Sequence, residues 1–300
     1  GRARPADPAR RVAGFGALWF LLLLAPTSSV LPVRDPLVEH RSYLALLGPA
    51  LAAAALGAEA LRRWAPGRAR LALAATAALW LALAGATAAR NRVWRTRLAL
   101  WSDAVAKAPS SSRAHANLAL ALASAYRMDD AVAELERAVA LSGDGLIQRP
   151  QILRDLGTGL IQLARYREAA AALESARQLA PGDGVTLSKL AIAHVGMGQN
   201  ARAVELARAA VAASPGGDAE FALALALVQS SQPQEGLAHA EQAAALAPAD
   251  GRPLRLSAVT RAQLGDRAGA CATYARYLQV ERDPGALASA RAWAATVPCP

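Results

Sequence analysis

The stretch "PQILRDLGTGLIQLARYREAAAALESARQLAP", from Pro150 to Pro181, shows how the C-terminal two-thirds of the chain is organised. Apolar residues recur every three or four positions in both halves of it, most of them large in the first half and many of them alanine in the second, which is the spacing of two amphipathic helices. Gly157, Ala169 and Ala176 are small residues that would let two such helices approach closely, and a proline ends the stretch. The pattern therefore predicts a helix-turn-helix unit with a period of about 34 residues.

Similar units flank this stretch on both sides. We expect repeats at 112–145, 150–183, 184–217, 218–250 and 251–284, preceded by a partial unit at 91–109 and followed by a cap at 285–297. The period and the positions of the small residues resemble those of tetratricopeptide repeats, whose helix pairs stack into a superhelix. The resemblance implies an all-α domain of about five repeats with a groove for a protein or peptide partner. Trp94 and Trp101 are expected to fill the core of the partial unit.

Residues 12–90 contain three apolar runs that predict a membrane region. The spans lie near 12–33, 42–60 and 71–89, with arginines at their ends, and they are long enough to cross about 30 Å of hydrocarbon. The alternative is three buried helices of a soluble core. The predicted fold is therefore all-α, with three transmembrane helices followed by a tetratricopeptide-repeat superhelix, and membrane lipid is one expected partner.

The positive charge of the chain is confined to its first third. Net charge is +10, with 14 arginines against 4 acidic residues in positions 1–100 and a balance of charges after them. A nucleic-acid binder carries its excess on a folded surface, so we expect no nucleic-acid partner. Short arginine-rich segments stay in the cytoplasm, which makes residues 1–11 a basic cytoplasmic flank. By alternation, the repeat domain of this integral membrane protein is expected to be extracytoplasmic, on the periplasmic side.

The sequence carries no motif for catalysis or for metal binding. It lacks a phosphate-binding glycine loop and the H-E-x-x-H, C-x-x-C and G-x-S-x-G patterns, so we expect no catalytic residue, metal or cofactor in this chain. His115 and His194 fall on core positions of the repeat, and His239 has no metal-type partner nearby in sequence. Cys271 and Cys299 are too few for a disulfide scaffold, and a single bridge between them stays open.

The repeat register assigns residues of the first helices to the groove. Those predicted to contact a peptide are Arg113, Asn117, Leu120, Arg154, Thr158, Lys189 and Ile192. Their mixture of polar and apolar side chains suits an extended or helical protein segment. They lack the repeated Lys and Asn set that would clamp a peptide carboxylate. The alternative is a spacer array without a specific ligand.

A charged segment, "VRDPLVEHRSYL" from Val33 to Leu44, separates the first two apolar runs. Its "EHRSYL" portion, the three spans and the repeats together resemble the C-terminal part of the GT-C glycosyltransferases that carry repeats, the transmembrane O-mannosyltransferase family and its bacterial relatives. The resemblance implies that Glu39, His40 and Arg41 contact the phosphate of a polyprenyl-phosphate sugar donor, with the catalytic acid upstream of Gly1. Composition alone favours a solvated connector instead.

Two functions follow from the sequence. The first is a membrane-anchored repeat protein that mediates protein–protein interaction by recruiting a partner or substrate. The alternative is the acceptor-binding part of a glycosyltransferase of the protein O-mannosylation type, in which this chain alone is not the enzyme. A membrane-assembly scaffold without sugar chemistry is a third. Because the chain begins without an initiator methionine, we expect it to be a piece of a longer protein.

Overall fold

The computed structural model describes residues 8–28, 40–64, 67–143, 148–282, 285 and 287–289. Over these residues the protein is entirely helical, with fourteen helices of ten residues or more and no strand. The chain separates into two compact units, residues 1–92 and residues 93–300.

The first unit consists of three long helices, α1 (Pro8–Ser28), α2 (His40–Trp64) and α3 (Ala69–Val93). Helices α1 and α2 pack against each other. Their backbones touch at Gly16 and Gly48, where a Cβ added to Gly16 would lie 2.3 Å from the carbonyl oxygen of Gly48. Nearby, Trp19 Nε1 donates a hydrogen bond of 2.8 Å to the carbonyl of Leu44. Small residues at such a crossing allow close helix packing.

Two segments of the first unit, Leu44–Arg63 and Arg70–Val93, are long and apolar enough to cross a membrane, judged by length and composition alone. The described residues of α1 do not meet the same criterion, and part of the first predicted span lies outside the described residues. The prediction of three transmembrane helices is therefore supported only at the second and third apolar runs.

The second unit begins with α4 (Arg97–Lys107) and continues as five helix pairs. The pairs are α5 (Ser112–Ser124) with α6 (Met128–Leu141), α7 (Arg149–Gln162) with α8 (Tyr166–Leu179), α9 (Gly184–Gly196) with α10 (Asn200–Ala213), α11 (Gly217–Gln229) with α12 (Pro233–Leu246), and α13 (Gly251–Gln263) with α14 (Arg267–Val280). Each helix packs against the next, and contacts between first helices also join α7 with α9, α9 with α11, and α11 with α13. This is the stacking that the repeat period predicts.

Alanine and glycine occupy the crossings within the helix pairs, as predicted. Ala119, Ala191 and Ala258 on the first helices have no exposed surface. Gly157 is the extreme case, since a Cβ there would lie 2.4 Å from Cγ of Leu173. Small residues therefore set the distance between the helices, and leucines fill the space around the crossings.

Each turn within a pair contains one residue with a left-handed backbone conformation. These residues are Tyr126, Ala164, Gly198, Ser231 and Gly265, with φ between 56° and 85°. Three of the five carry a side chain, although glycine is the residue that adopts this conformation without steric cost. The fold therefore imposes the turn geometry on residues that do not favour it.

The leading helix α4 packs against α5 in the manner of a second helix. Trp101 and Leu98 are partly buried against the core. Trp94 is 56% exposed, because it lies in the turn before the helix, which Thr96 caps. The prediction that Trp94 fills the core is therefore wrong. The predicted cap at 285–297 lies almost entirely outside the described residues.

Candidate functional site

The first helices of the five pairs, α5, α7, α9, α11 and α13, lie in sequence along one side of the repeat unit. We call the surface formed by their solvent-facing residues the groove. The seven predicted contact residues all lie on α5, α7 and α9. Two cavities open on the groove, one between α5 and α7 and the other between α11 and α13.

The cavity between α5 and α7, here called the amide cavity, has a volume of about 180 Å³. Its lining residues are Arg113, Ala116, Asn117, Leu120, Gln148, Gln151, Ile152 and Asp155. Three of the predicted residues therefore meet in one place. Leu120 is 48% exposed, and Asn117 Nδ2 donates a 2.9 Å hydrogen bond to the carbonyl of Arg113.

Asp155 lies half-buried in the amide cavity. Burial raises the pKa of its carboxyl group, and the charge of the adjacent Arg154 opposes this only in part. Its carboxylate has no hydrogen bond to any residue within the described parts of the chain. A half-buried carboxylate of this kind would favour a cationic or hydrogen-bond-donating group of a ligand.

The cavity between α11 and α13, here called the apolar cavity, has a volume of about 220 Å³. It is lined by Phe221, Leu225, Arg252, Arg255, Leu256 and Val259. The guanidinium carbon of Arg252 lies 5.0 Å from the centroid of the Phe221 ring, which is a cation–π distance. The same register in the last repeat gives the four lining residues on α13, but the predicted start of the fourth repeat at 218 is one residue later than the start of α11 and misses Phe221 and Leu225.

Ion pairs connect the first helices between the two cavities. Arg154 on α7 donates a 2.6 Å hydrogen bond to Asp183 at the start of α9. Farther along, Lys189 Nζ lies 3.7 Å from Asp218 Oδ1, and Arg252 contacts the same oxygen at 2.6 Å. The predicted groove cations Arg154 and Lys189 are therefore engaged with neighbouring repeats.

The pKa values of these acids follow from the ion pairs. Burial raises the pKa of Asp183, but its hydrogen bonds from Thr186 and Arg154 outweigh burial and hold the pKa below its usual range. Asp218 behaves alike, because Lys189 and Arg252 outweigh the effect of burial on its pKa. Both carboxylates are stabilised in the ionised form.

Burial lowers the pKa of Lys189, and Asp218 offsets this only in part. The ammonium group thus has a desolvation cost that its partner does not fully recover.

The two remaining predicted groove residues do not enter either cavity. Thr158 Oγ1 donates a 2.9 Å hydrogen bond back to the carbonyl of Arg154 on its own helix. Ile192 is partly buried and packs against the core. Their role in peptide contact stays a prediction.

The predicted donor-phosphate contacts cannot be described as a site. Glu39 lies outside the described residues, and His40 and Arg41 are the first residues of α2, whose side chains also lie outside them. Contact of these three residues with phosphate therefore stays a prediction.

Two partly buried histidine–glutamate pairs lie inside the repeats. His115 Nδ1 is 2.6 Å from Glu134 Oε2, and His239 Nδ1 is 2.7 Å from Glu220 Oε2. Both pairs span nineteen residues, but the histidine lies on the first helix α5 in one and on the second helix α12 in the other. His239 thus has a partner that is distant in sequence. Among the described residues, no group of three or more His, Cys, Asp or Glu could hold a metal ion.

Comparison with known proteins agrees with the repeat architecture. Residues 160–228 match the tetratricopeptide repeat family. A thermophilic tetratricopeptide-repeat protein of Thermus thermophilus is 18% identical, with a TM-score of 0.55 over 62% of this chain and 98% of that one. A chain in the crystal structure of the APC/C hetero-tetramer Cut9–Hcn1 is 17% identical, with a TM-score of 0.54 over 92% of this chain and 53% of that one. A comparison with curated proteins gave no match.

At these identities the solved structures show likeness of fold alone. Neither they nor the family match points to a glycosyltransferase, so the resemblance to O-mannosyltransferases rests only on the loop and span sequences quoted above. The described helices of the second unit form a tetratricopeptide-repeat superhelix, and its central residues 160–228 carry the sequence of that repeat family.

Proposed function

We propose that this protein is a membrane-anchored tetratricopeptide-repeat protein whose groove recruits a protein partner. The observation that carries the proposal is the presence of two cavities on one groove, with paired charges between them. Stacked repeats produce extended surfaces of this kind, which suit binding along the length of a peptide.

The chemistry of the amide cavity supports a polypeptide ligand. Asn117, Gln148 and Gln151 each offer a carbonyl acceptor and an NH₂ donor, which match the alternating groups of a peptide backbone. Leu120 adds an exposed apolar contact beside them. The spacer alternative gives no reason for polar and apolar groups to converge at one cavity.

Membrane anchoring is supported by the surface of α3. Leu73, Trp80 and Leu81 are 72%, 68% and 75% exposed, and their neighbours along the helix are also apolar. A contiguous apolar surface of this length is costly in water and would be covered by lipid. Arg90 and Arg92 at the end of the helix suit the membrane interface.

An extracytoplasmic location of the repeats is supported by the state of Cys271. This residue is disulfide-bonded, and Cys299 is the only other cysteine in the sequence. Disulfides persist in oxidising compartments such as the bacterial periplasm and are rare in the cytosol. In intact cells, we expect no labelling of the chain by a maleimide polymer unless a reductant is added first. If the chain stays unlabelled in intact cells even after reduction but is labelled after lysis, the extracytoplasmic location is wrong.

Site-specific crosslinking tests the recruitment proposal. A photoreactive amino acid at Leu120 or Leu256, both on the groove, should give a discrete crosslinked product in membranes that express the full chain. The control position is Tyr126, which is 74% exposed but lies in a turn away from both cavities. Crosslinks of equal pattern and yield at all three positions would favour the spacer alternative. Retention of the chain in membranes after alkaline extraction tests the anchor.

A further inference from the structure

We propose that the apolar cavity between α11 and α13 binds an acidic peptide segment in which a large apolar side chain stands next to a carboxylate. The side chain would enter between Phe221 and Val259, and the carboxylate would pair with Arg255. This inference rests on the proposed function, because it assigns a partner chemistry to one part of the same groove.

The walls of the cavity select an apolar group. Phe221 is only 8% exposed, and Leu225, Leu256 and Val259 are half-buried around it. The volume of about 220 Å³ is smaller than the roughly 300–1,000 Å³ of typical small-molecule pockets. It therefore suits a single large side chain of a longer ligand, which would continue along the open groove.

The charges at the cavity select an anion. Arg252 already contacts Asp218 and Asp250 at 2.6 Å each, and Lys189 lies 3.7 Å from Asp218. These two acids and two bases neutralise one another. Arg255 also lines the cavity, but it is exposed and forms no ion pair or hydrogen bond within the described chain. One positive charge is therefore left over at the edge of an apolar pocket.

The position of Arg255 strengthens this assignment. It lies three residues after Arg252 on α13, a spacing that puts both residues on one face of the helix, and Arg252 is already held by its two acids. A ligand carboxylate beside Arg255 would form a charge-assisted hydrogen bond, for which the guanidinium fork is well shaped. Glu220 does not line the cavity, and its carboxylate lies 2.7 Å from His239 Nδ1.

The amide cavity at the other end of the groove lacks this preference. Its lining includes one cation, Arg113, and one half-buried carboxylate, Asp155, so the cavity has no excess positive charge to favour the acidic segment. The proposal therefore predicts binding at one end of the groove only.

Fluorescence anisotropy of labelled peptides on the full chain in nanodiscs tests the proposal. The probe is a ten-residue peptide with Glu-Leu-Phe-Asp at its centre and Gly and Ser around it, compared with a Gln-Leu-Phe-Asn version. We expect the neutral peptide to bind about tenfold more weakly, since one charge-assisted contact is lost. The variant Arg255→Met should weaken the acidic peptide by the same factor and leave the neutral peptide unchanged.

Matched variants separate recognition from misfolding. Leu256→Ala should weaken both peptides, whereas Tyr126→Ser and Asp129→Asn, at exposed positions away from both cavities, should weaken neither. Circular dichroism confirms that each variant keeps its helices. Equal binding of the two peptides, or equal loss for both in Arg255→Met, would overturn the carboxylate contact. If N-acetylphenylalanine competes as well as the unlabelled peptide, the ligand is a small carboxylate and the peptide assignment is wrong.

Different experimental results would contradict this inference and the proposed function. If neither peptide binds at millimolar concentration, the acidic-peptide assignment falls, but groove-specific crosslinks at Leu120 would still support partner recruitment. If the crosslinks are also absent from the groove, the proposed function falls as well.

Discussion

Two buried threonines on the first helices differ in whether their hydroxyl groups are satisfied. Thr186 donates a 2.5 Å hydrogen bond to Asp183 Oδ2. Thr260 is completely buried, and its Oγ1 has no partner among the described residues. A buried hydroxyl without a partner costs free energy, whereas a satisfied one stabilises the fold.

Replacement of these threonines by valine should therefore have opposite consequences. Thr260→Val removes an unsatisfied hydroxyl at nearly constant volume, so we expect the free energy of unfolding to stay equal or rise by up to about 1 kcal/mol. Thr186→Val removes a bond to an ionised carboxylate and should lower that free energy by about 1–2 kcal/mol. Chemical denaturation followed by circular dichroism measures both. If Thr260→Val lowers the free energy of unfolding by more than Thr186→Val does, the Thr260 hydroxyl has a hydrogen-bond partner.

Protonation of Asp183 should make the repeat unit less stable in acid. Its pKa is lowered in the folded protein, so its contribution to stability is complete above the ordinary value near 3.9. That contribution is lost as the pH falls from about 4 through the folded-state pKa. We expect Asp183→Asn, which keeps a helix-capping side chain, to flatten the fall in melting temperature below about pH 4. Asp129→Asn, at an exposed position on α6, is the control and should keep the slope of the wild-type protein.

At the scale of the element, the turns within the helix pairs carry measurable strain. Ala164 has φ 56° and Gly198 has φ 74° at equivalent points of successive repeats. Ala164→Gly should raise the free energy of unfolding by about 0.5–1 kcal/mol, and Gly198→Ala should lower it by about 1 kcal/mol. Equilibrium denaturation compares the two. Destabilisation by Ala164→Gly would show that the methyl group packs more favourably than its backbone is strained.

Lys189, Asp218 and Arg252 form linked ion pairs across α9, α11 and α13. Loss of Asp218 and loss of Lys189 should change the stability of the repeat unit by different amounts. Asp218→Asn leaves the largely buried Lys189 without its anion, and we expect a loss of about 1–3 kcal/mol in the free energy of unfolding. Lys189→Met removes a poorly compensated ammonium group, while Asp218 keeps Arg252. We expect this change to be nearly neutral. Equal losses in the two variants would mean that Lys189 and Asp218 act as an isolated pair.

For the whole molecule, the sequence predicted the repeating architecture because that information is local and periodic. The small residues at each helix crossing, such as Gly157 against Leu173, recur at fixed positions and specify the pairing of the helices. The bounds of α7 and α8 follow from the quoted stretch to within a few residues. Stacking then follows from the apolar faces that each pair leaves uncovered.

The candidate site was less predictable, because its chemistry depends on contacts between repeats. The register placed Arg154 and Lys189 on the groove, but only the structure shows that Asp183 and Asp218 occupy them. The sequence does not show that Arg255, and not Arg252, is the arginine available to a ligand, because the pairing of Arg252 with Asp218 is visible only in the structure. Loop residues such as Gln148 enter the amide cavity from outside the helical register and give no periodic signal.

The reversed histidine–glutamate pairs limit how the repeats can be recombined. In the first pair of helices the histidine, His115, lies on α5 and its glutamate partner lies on α6. In the fourth pair the histidine, His239, lies on α12 and its glutamate partner lies on α11. A hybrid that joined α5 to α12 would bury two imidazoles face to face, and one that joined α11 to α6 would bury two carboxylates. Genetic exchange between these repeats therefore preserves a stable core only when the two helices of a pair move together. The order of histidine and glutamate within a pair thus determines which first and second helices can pack together.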